Sequence, residues 1–160
     1  MSKDQSTTDL IQQYSEIINE LKERGVIRTK NLIGDLGEYL AIDYYCNTAG
    51  LPKLQAAMTN TKKFDATSMN GESYSIKSTT GRLTGVFYGL EPPESKKSND
   101  KLFDYAIIVL LNDNYALNKI LELNWEIFLK HKRWHKTMTA WNLPITKSLI
   151  EDSNIIYSEQ

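Results

Sequence analysis

Three residues of this 160-residue chain carry the groups that metal-assisted hydrolysis needs: Asp65, Lys77 and Glu38. A carboxylate pair beside a lysine suits a hard divalent cation, because such ions take oxygen ligands, including backbone carbonyls and water. The ion lowers the pKa of a bound water, and the lysine ammonium group can orient that water or help to deprotonate it. If the fold brings these side chains together, they indicate hydrolysis at a phosphorus centre.

The segments that carry Asp65 and Lys77 are predicted to form a hairpin, with one strand over residues 64–68 and the other over residues 73–78. A two-residue loop would place apolar side chains opposite polar ones. A three-residue loop that ends at Gly71, with this glycine in the left-handed region, avoids the mismatch. It forms two apolar pairs on one face of the hairpin: Ala66 with Tyr74, and Phe64 with Ile76.

The opposite face of this hairpin carries polar residues. Asp65 lies opposite Ser75, and Lys77 follows two residues later on the same strand. Because side chains alternate along a strand, these three residues share a face. The helix that precedes the hairpin can pack there and supply Glu38.

Two helices are predicted before the hairpin. Apolar residues recur at intervals of three and four from Thr8 to near Gly25, which is typical of an amphipathic helix. A second helix is expected over residues 31–46, and it contains Gly34 and Gly37. Since glycine lowers helix stability by about 1 kcal/mol relative to alanine, this pair indicates a close approach between backbones.

The C-terminal half contains the most apolar run in the chain, residues 105–111. This run is short and rich in β-branched side chains, so it is predicted to be a central strand. Residues 145–158 are expected to mix helix and coil. Three further elements are expected: a short strand at residues 86–88, a partner strand at residues 115–122, and a helix from Trp125 to about Lys132 capped by Asn124.

The composition is that of a globular protein, with 41% hydrophobic and 24% charged residues, which excludes collagen-like and wholly disordered chains. The formal net charge is -1, so affinity for nucleic acid must come from local clusters of basic residues. The single cysteine, Cys46, excludes an internal disulfide and a cysteine-rich zinc site. Because the N-terminus is polar and no apolar run is long enough to span a bilayer, we expect a cytoplasmic protein with no membrane partner.

At the residues singled out above, the chain resembles the PD-(D/E)-x-K nuclease superfamily. The resemblance rests on Asp65 in the first hairpin strand, Ser75-Ile76-Lys77 in the second, the helix segment 34–39 that contains Glu38, and the pair Gly81-Arg82. It implies a single α/β domain over residues 1–160 with the restriction-endonuclease-like fold, a mixed central sheet flanked by helices. Residues 1–7 would be a loose leader and the core would span about residues 31–143, with the two N-terminal helices on one side of the sheet.

The resemblance also implies a role for each matching residue. Asp65 would be the principal ligand of Mg²⁺ or Mn²⁺, and the Ile76 carbonyl a second ligand. Glu38 would bind the metal directly or through water, and Lys77 would be the catalytic lysine. The superfamily usually has an acid two residues before this lysine, whereas this chain has Ser75, and a hydroxyl adds no negative charge and binds Mg²⁺ weakly. Either Glu38 compensates for the missing acid or cleavage has been lost. Alternatively, Glu38 is an exposed helix residue that pairs with a nearby basic side chain.

A second feature is the absence of acidic residues between Ile127 and Ile145. Basic side chains interleaved with indoles suit phosphate contacts and base stacking; alternatively, they form a solvated helix face whose tryptophans reach the core. His131 and His135 have a spacing compatible with a metal on a helix, but no third ligand is evident. The predicted nucleic-acid-binding residues are Arg82, Lys130, Lys132, Arg133, Lys136 and Trp134.

The predicted function is Mg²⁺-dependent hydrolysis of DNA phosphodiester bonds in restriction, repair or defence. Because a domain of this size offers one site, cutting both strands would require a homodimer or a partner subunit. The main alternative is a catalytically weak or inactive module of the same fold that binds nucleic acid or a partner protein. A regulatory protein that does not bind nucleic acid is a third candidate, which salt-insensitive or absent DNA binding would favour.

Overall fold

The computed structural model describes residues 5–58, 61 and 63–160, and within them the chain forms four helices and eight strands. The helices are α1 (Thr7–Glu23), α2 (Leu32–Asn47), α3 (Trp125–His131) and α4 (Lys147–Asp152). The strands are β1 (Leu54–Ala56), β2 (Ala66–Ser68), β3 (Ser73–Thr79), β4 (Tyr105–Leu111), β5 (Leu117–Asn124), β6 (Arg133–His135), β7 (Ala140–Asn142) and β8 (Asn154–Ser158).

Six of these strands form one mixed sheet in the order β1-β2-β3-β4-β5-β8. β3 and β4 run parallel, and the other four neighbouring pairs are antiparallel. β6 and β7 form a separate two-stranded sheet. The predicted mixed α/β architecture, with helices beside a mixed sheet, is therefore confirmed, and β4 lies at its centre as expected.

The closed end of the β2–β3 hairpin has the predicted register. Ala66 pairs with Tyr74 and Thr67 with Ser73. Gly71 has a φ of 85°, in the left-handed region that the three-residue loop requires.

The open end of the same hairpin differs from the prediction. β2 begins only at Ala66, and the side chain of Asp65, instead of a backbone carbonyl, accepts the N–H of Ile76 at 2.7 Å. Phe64 packs against the core on one side of the sheet, while Ile76 belongs to the core on the other side. The predicted Phe64–Ile76 pair is therefore wrong, because the strand pairing ends at Ala66 and Tyr74, two residues before it could form.

The sheet separates two hydrophobic cores, and α2 covers one of them. The residues buried under α2 include Tyr74 and Ile76 of β3, together with Tyr45 of the helix itself. Asp65 and Lys77 face the opposite side, so the expectation that α2 packs on the polar face of the hairpin is wrong. The apolar side chains of β3 determine which face the helix covers. Burying them removes more apolar surface from water than covering the polar face of the strand would.

α1 forms as predicted, but it does not pack on the sheet beside α2. Its N-terminus is capped by Ser6, whose hydroxyl accepts the N–H of Asp9, so the helix and its cap begin inside the predicted leader. Every residue of α1, all of which the structure describes, is at least partly exposed, including Ile11 at 65% and Tyr14 at 62%. The expected placement of both N-terminal helices on one side of the sheet is therefore wrong.

The C-terminal half follows the prediction in its central elements and departs from it at the edges. α3 is capped by Asn124 as predicted, whereas residues 86–88 form a single bridge, Phe87 to Trp141, instead of a strand. The partner strand β5 starts at Leu117, because Tyr115 has a φ of 64° within the preceding turn. The tail contains α4 and the edge strand β8, which local patterns did not predict. Among the described residues, no helix is both long enough and apolar enough to cross a membrane.

Candidate active site

Asp65, Ser75 and Lys77 line one small cleft of about 70 Å³ on the face of the sheet opposite α2. Its walls combine polar and charged side chains with aromatic ones, among them Phe87 and Phe103, which belong to the core beneath. We call this site the Asp65–Lys77 cleft. Asp65, Lys77 and Ser75, the residue in the position of the usual second acid, are therefore neighbours in the folded chain, whereas Glu38 lines a different cavity.

The backbone of β3 holds Asp65 in place. Its Oδ2 accepts the N–H of Ile76 at 2.7 Å and the hydroxyl of Ser75 at 3.4 Å. Both bonds reach the same oxygen, so the second carboxylate oxygen can bind a cation. Because the N–H and C=O of a strand residue point to the same side, the Ile76 carbonyl lies at the same edge of β3 as Asp65.

Lys77 is half-buried against the aromatic wall of the cleft. Its Nζ lies 5.4 Å from the centroid of the Phe87 ring, within the range of a cation–π contact. Ser75, two residues earlier, is 95% buried, at a relative exposure of 5%. The residue in the position of the usual second acid is therefore an uncharged group inside the protein.

α2, which carries Glu38, lies unusually close to β3. A Cβ atom on Gly37 would lie 2.3 Å from both Cβ and Oγ of Ser78, far inside van der Waals contact. The Ser78 hydroxyl also donates to the Ile33 carbonyl at 2.6 Å, which links β3 to the first turn of the helix. The close approach predicted from the two glycines is confirmed at Gly37.

The electrostatic environment of Glu38 links it to Asp65. Burial and the negative charge of Asp65 raise the pKa of Glu38, while the Arg28 guanidinium lowers it by a smaller amount. Arg28 Nη2 lies 2.6 Å from Glu38 Oε2. The charge of Asp65 therefore affects Glu38, but Glu38 lines a separate cavity with Arg28 and Asp35, where it forms the ion pair that the alternative interpretation expected.

Arg28 is a site residue that the sequence did not reveal, since it lies in a connecting segment with no recognisable pattern. Its position depends on Asp35, whose carboxylate accepts the N–H groups of Arg28 and Thr29. Burial of Asp35 would raise the pKa of this carboxyl, but the two N–H groups outweigh that effect and lower it. Asp35 is thus a charged group, and through these hydrogen bonds it fixes the segment between α1 and α2.

The ligands available for a divalent cation are fewer than in a site with three acids. Across residues 5–58, 61 and 63–160, no cluster of three or more acidic, histidine or cysteine side chains could hold a metal. Two carboxylates, Asp65 and Glu38, and the Ile76 carbonyl are present. Mg²⁺ commonly binds through one or two carboxylates, with water and substrate phosphate as further ligands, so this set fits a cation that binds together with its substrate.

The basic stretch near the C-terminus is less positive in the folded protein than in the sequence. Asp152 of α4 lies 2.6 Å from Lys130 Nζ and 2.6 Å from His131 Nε2. These contacts lower the pKa of the Asp152 carboxyl through hydrogen bonds from Lys130 and His131. Lys130 is therefore paired with Asp152, which lies beyond the acid-free stretch in the sequence. It is a weaker phosphate-binding candidate than the sequence indicated.

The remaining predicted nucleic-acid-binding residues lie on the β6–β7 hairpin and the loops around it. Lys132 Nζ lies 3.1 Å from the centroid of the Trp141 ring, and Trp134 packs edge-on against the same indole. Burial lowers the pKa of Lys132. The exposed side chains are those of Arg82, Arg133 and Lys136.

The two histidines of this region do not form a helical metal site. α3 ends at His131, and His135 belongs to β6. The spacing of four residues therefore places them on different elements, and His131 binds Asp152 instead.

Comparison with known proteins leaves the function open: no protein-family model matches the sequence, and no curated protein matches it. The functional conclusion below therefore rests on the Asp65–Lys77 cleft and its surroundings.

Proposed function

We propose that this protein is a Mg²⁺- or Mn²⁺-dependent endonuclease with a restriction-endonuclease-like fold, which hydrolyses DNA phosphodiester bonds in the cytoplasm during restriction, repair or defence. One observation carries the proposal. Asp65 and Lys77 line the same cleft, and Glu38 approaches Asp65 from a different element closely enough to affect its own ionisation.

Each residue has a role that follows from its position. Asp65, Glu38 and the Ile76 carbonyl hold the cation, which when bound supplies Lewis acidity toward the phosphate and acidifies a water. Lys77 orients the attacking water or takes part in its deprotonation. The aromatic wall behind Lys77 limits access of bulk water from one side, and the Ile76 N–H keeps Asp65 directed into the cleft.

Contacts to DNA outside the cleft are proposed for the exposed basic residues. Arg82, Arg133 and Lys136 can reach phosphates, and Trp134 can stack on a base. Because such contacts release counterions, binding should weaken steeply as the salt concentration rises.

Nicking of supercoiled plasmid in the presence of Mg²⁺ or Mn²⁺ tests this function. Asp65→Ala and Lys77→Ala should each lower the nicking rate by about a hundred-fold or more, since both remove a group that acts on the reacting atoms. Lys119→Met is a matched control, because Lys119 is also half-buried on the sheet but contacts Ser158 on β8, away from the cleft.

Nicking that persists at the wild-type rate in both the Asp65 and Lys77 variants would remove the assignment. Equal loss in the Lys119 variant would point to general destabilisation of the sheet, so thermal unfolding of each variant should be recorded alongside.

The second candidate function is a nuclease-fold module that binds nucleic acid or a partner protein without cutting. Two features favour it: Ser75 supplies no charge, and Arg28 competes with a cation for Glu38. Salt-dependent DNA binding with no nicking under either metal would support this function over cleavage.

For cutting both strands, we propose a homodimer formed through α1. Leu10, Tyr14, Ile17 and Leu21 are spaced by four, three and four residues, the pattern of a helix–helix seam. The first turn of α1 is acidic at Asp9 and its last turn is basic at Lys22. An antiparallel pair of α1 helices from two copies therefore places each acidic end beside a basic one.

A further inference from the structure

The Asp65–Lys77 cleft adjoins a larger cavity. Lys63, Tyr88 and Leu102 line both the cleft and a neighbouring cavity of about 370 Å³. We call this second space the Tyr88 cavity. Its other lining residues are Gly89, Glu91, Ser98, Asn99 and Asp100.

The two spaces differ in what they can hold. A water molecule takes about 30 Å³ in the liquid, so the cleft of about 70 Å³ has room for an ion, water or phosphate oxygens only. Sites for small organic ligands measure about 300–1,000 Å³, and the Tyr88 cavity falls in that range. A nucleotide whose phosphate lies in the cleft must therefore place its base elsewhere, and the adjoining cavity is large enough for it.

The walls of the Tyr88 cavity suit a base better than a second phosphate. Tyr88 is 62% exposed at the junction of the two spaces, so one face of its ring is accessible for stacking. The carboxylates of Glu91 and Asp100 repel phosphate, but they accept hydrogen bonds from the amino groups at base edges.

Glu91 is held in position before any ligand binds. Its N–H donates to Asn99 Oδ1 at 2.7 Å, and its Oε2 accepts the Ser95 hydroxyl at 2.7 Å. Its carbonyl accepts the Trp141 indole N–H at 2.8 Å. A wall fixed in this way loses little conformational entropy when a ligand binds, which favours a specific contact.

We propose that the Tyr88 cavity binds an unpaired nucleobase, stacked on Tyr88, next to the phosphate in the Asp65–Lys77 cleft. This inference rests on the proposed function for the position of the phosphate. It names the substrate class: DNA with an unpaired nucleotide at the cleft, such as a single strand or a frayed end. A base that stays paired in a continuous duplex cannot enter the cavity.

Fluorescence anisotropy without metal tests the proposal independently of cleavage. Lys77→Met protein is titrated into each of three labelled DNAs. These are a single strand, a blunt duplex of the same sequence, and an abasic single strand of equal length. The single strand should bind about ten-fold more tightly than either the duplex or the abasic strand. Tyr88→Ala should remove this difference, and Tyr88→Phe should keep it because the ring remains.

Tyr115→Ala is the control, since Tyr115 is also an exposed tyrosine, in the turn between β4 and β5. The proposal is overturned if the single strand keeps its advantage in Tyr88→Ala, if Tyr88→Phe loses it, or if the abasic strand binds as tightly as the normal one. Loss of the cleavage function alone leaves these binding results unchanged, so the two failures can be told apart.

Discussion

The ionisation of Glu38 depends on neighbours with opposite effects. Burial and Asp65 favour the protonated carboxyl, whereas the Arg28 guanidinium favours the carboxylate. A cation bound beside Asp65 would act in the same direction as Arg28, because both are positive charges next to a carboxylate. Arg28 therefore favours the charged form of Glu38, but it binds Oε2, an oxygen that a cation bound by Glu38 would have to share.

Removing Arg28 should raise the pKa of Glu38 further. In Arg28→Met, the carboxyl resonance of Glu38 should titrate at higher pH than in the wild type, as followed by carbon-13 NMR. Arg24→Met is the control, because Arg24 forms an ion pair of the same length with Glu20 on the exposed surface of α1. An unchanged or lower pKa in Arg28→Met would contradict this account.

The raised pKa of Glu38 also predicts how stability changes with pH. The folded protein binds the Glu38 proton more tightly than the unfolded chain, so this carboxyl stabilises the fold at low pH. This stabilisation declines as the pH rises from 4.5, the ordinary pKa of a glutamate, through the raised pKa of Glu38 in the folded protein. Glu38→Gln should remove this decline in urea-unfolding measurements across pH, and a decline of unchanged slope would contradict the assignment.

At the level of elements, the distance between α2 and β3 determines whether Glu38 reaches the cleft. Gly37 permits the approach, and the hydrogen bond from Ser78 to the Ile33 carbonyl maintains it. α2 lies on the other side of the sheet from Lys77, and Glu38 lines a cavity with Arg28 and Asp35 instead of the Asp65–Lys77 cleft. The negative charge of Asp65 nevertheless raises the pKa of Glu38.

Adding a methyl group at Gly37 should separate the helix from the strand. Gly37→Ala should lower the free energy of unfolding by about 1–3 kcal/mol through overpacking, although alanine favours the helix itself by about 1 kcal/mol. The measurement is urea unfolding, with nicking as a second readout. Gly85→Ala is the control, because a Cβ there would meet nothing within 4 Å.

A second variant identifies the contact responsible. Ser78→Gly removes both atoms that the new Cβ would meet, so its effect and that of Gly37→Ala should be less than additive. Strict additivity would show that the two residues do not interact.

For the whole molecule, the most unusual feature is a capped helix whose apolar side chains face solvent. Ile17 is 57% exposed, and Ile11 and Tyr14 are exposed to a similar degree. Helices in proteins gain most of their stability from tertiary packing of an apolar face. The proposed partner is a second copy of the chain, which would also provide a second active site.

The dimer should be visible as a change in mass. Analytical ultracentrifugation should give twice the 18.4 kDa of one chain, and Tyr14→Glu with Ile17→Glu should restore the single-chain mass. Met69→Glu is the control, since Met69 is 90% exposed but lies in the turn between β2 and β3. A wild-type protein that stays monomeric at high concentration would refute the interface.

Local sequence patterns were sufficient for several parts of this protein. The bend at Gly71, the pairing of Ala66 with Tyr74 and the cap at Asn124 depend on residues a few positions apart, so turn geometry and side-chain alternation predict them. The close approach at Gly37 was predictable, because two glycines destabilise a helix interior and a close contact with another element is the expected compensation. The grouping of Asp65 with Lys77 in one cleft was predicted from a resemblance combined with this register, whereas α2, which carries Glu38, packs on the opposite face from the one expected.

Other features depend on contacts between distant segments, which local patterns do not encode. An amphipathic pattern shows that α1 has an apolar face but does not show what covers it. Arg28 meets Glu38, and Asp152 neutralises Lys130, because the chain folds back on itself. In the same way, Tyr88 adjoins the cleft only because β3, the loop after it and residues 98–102 meet in space.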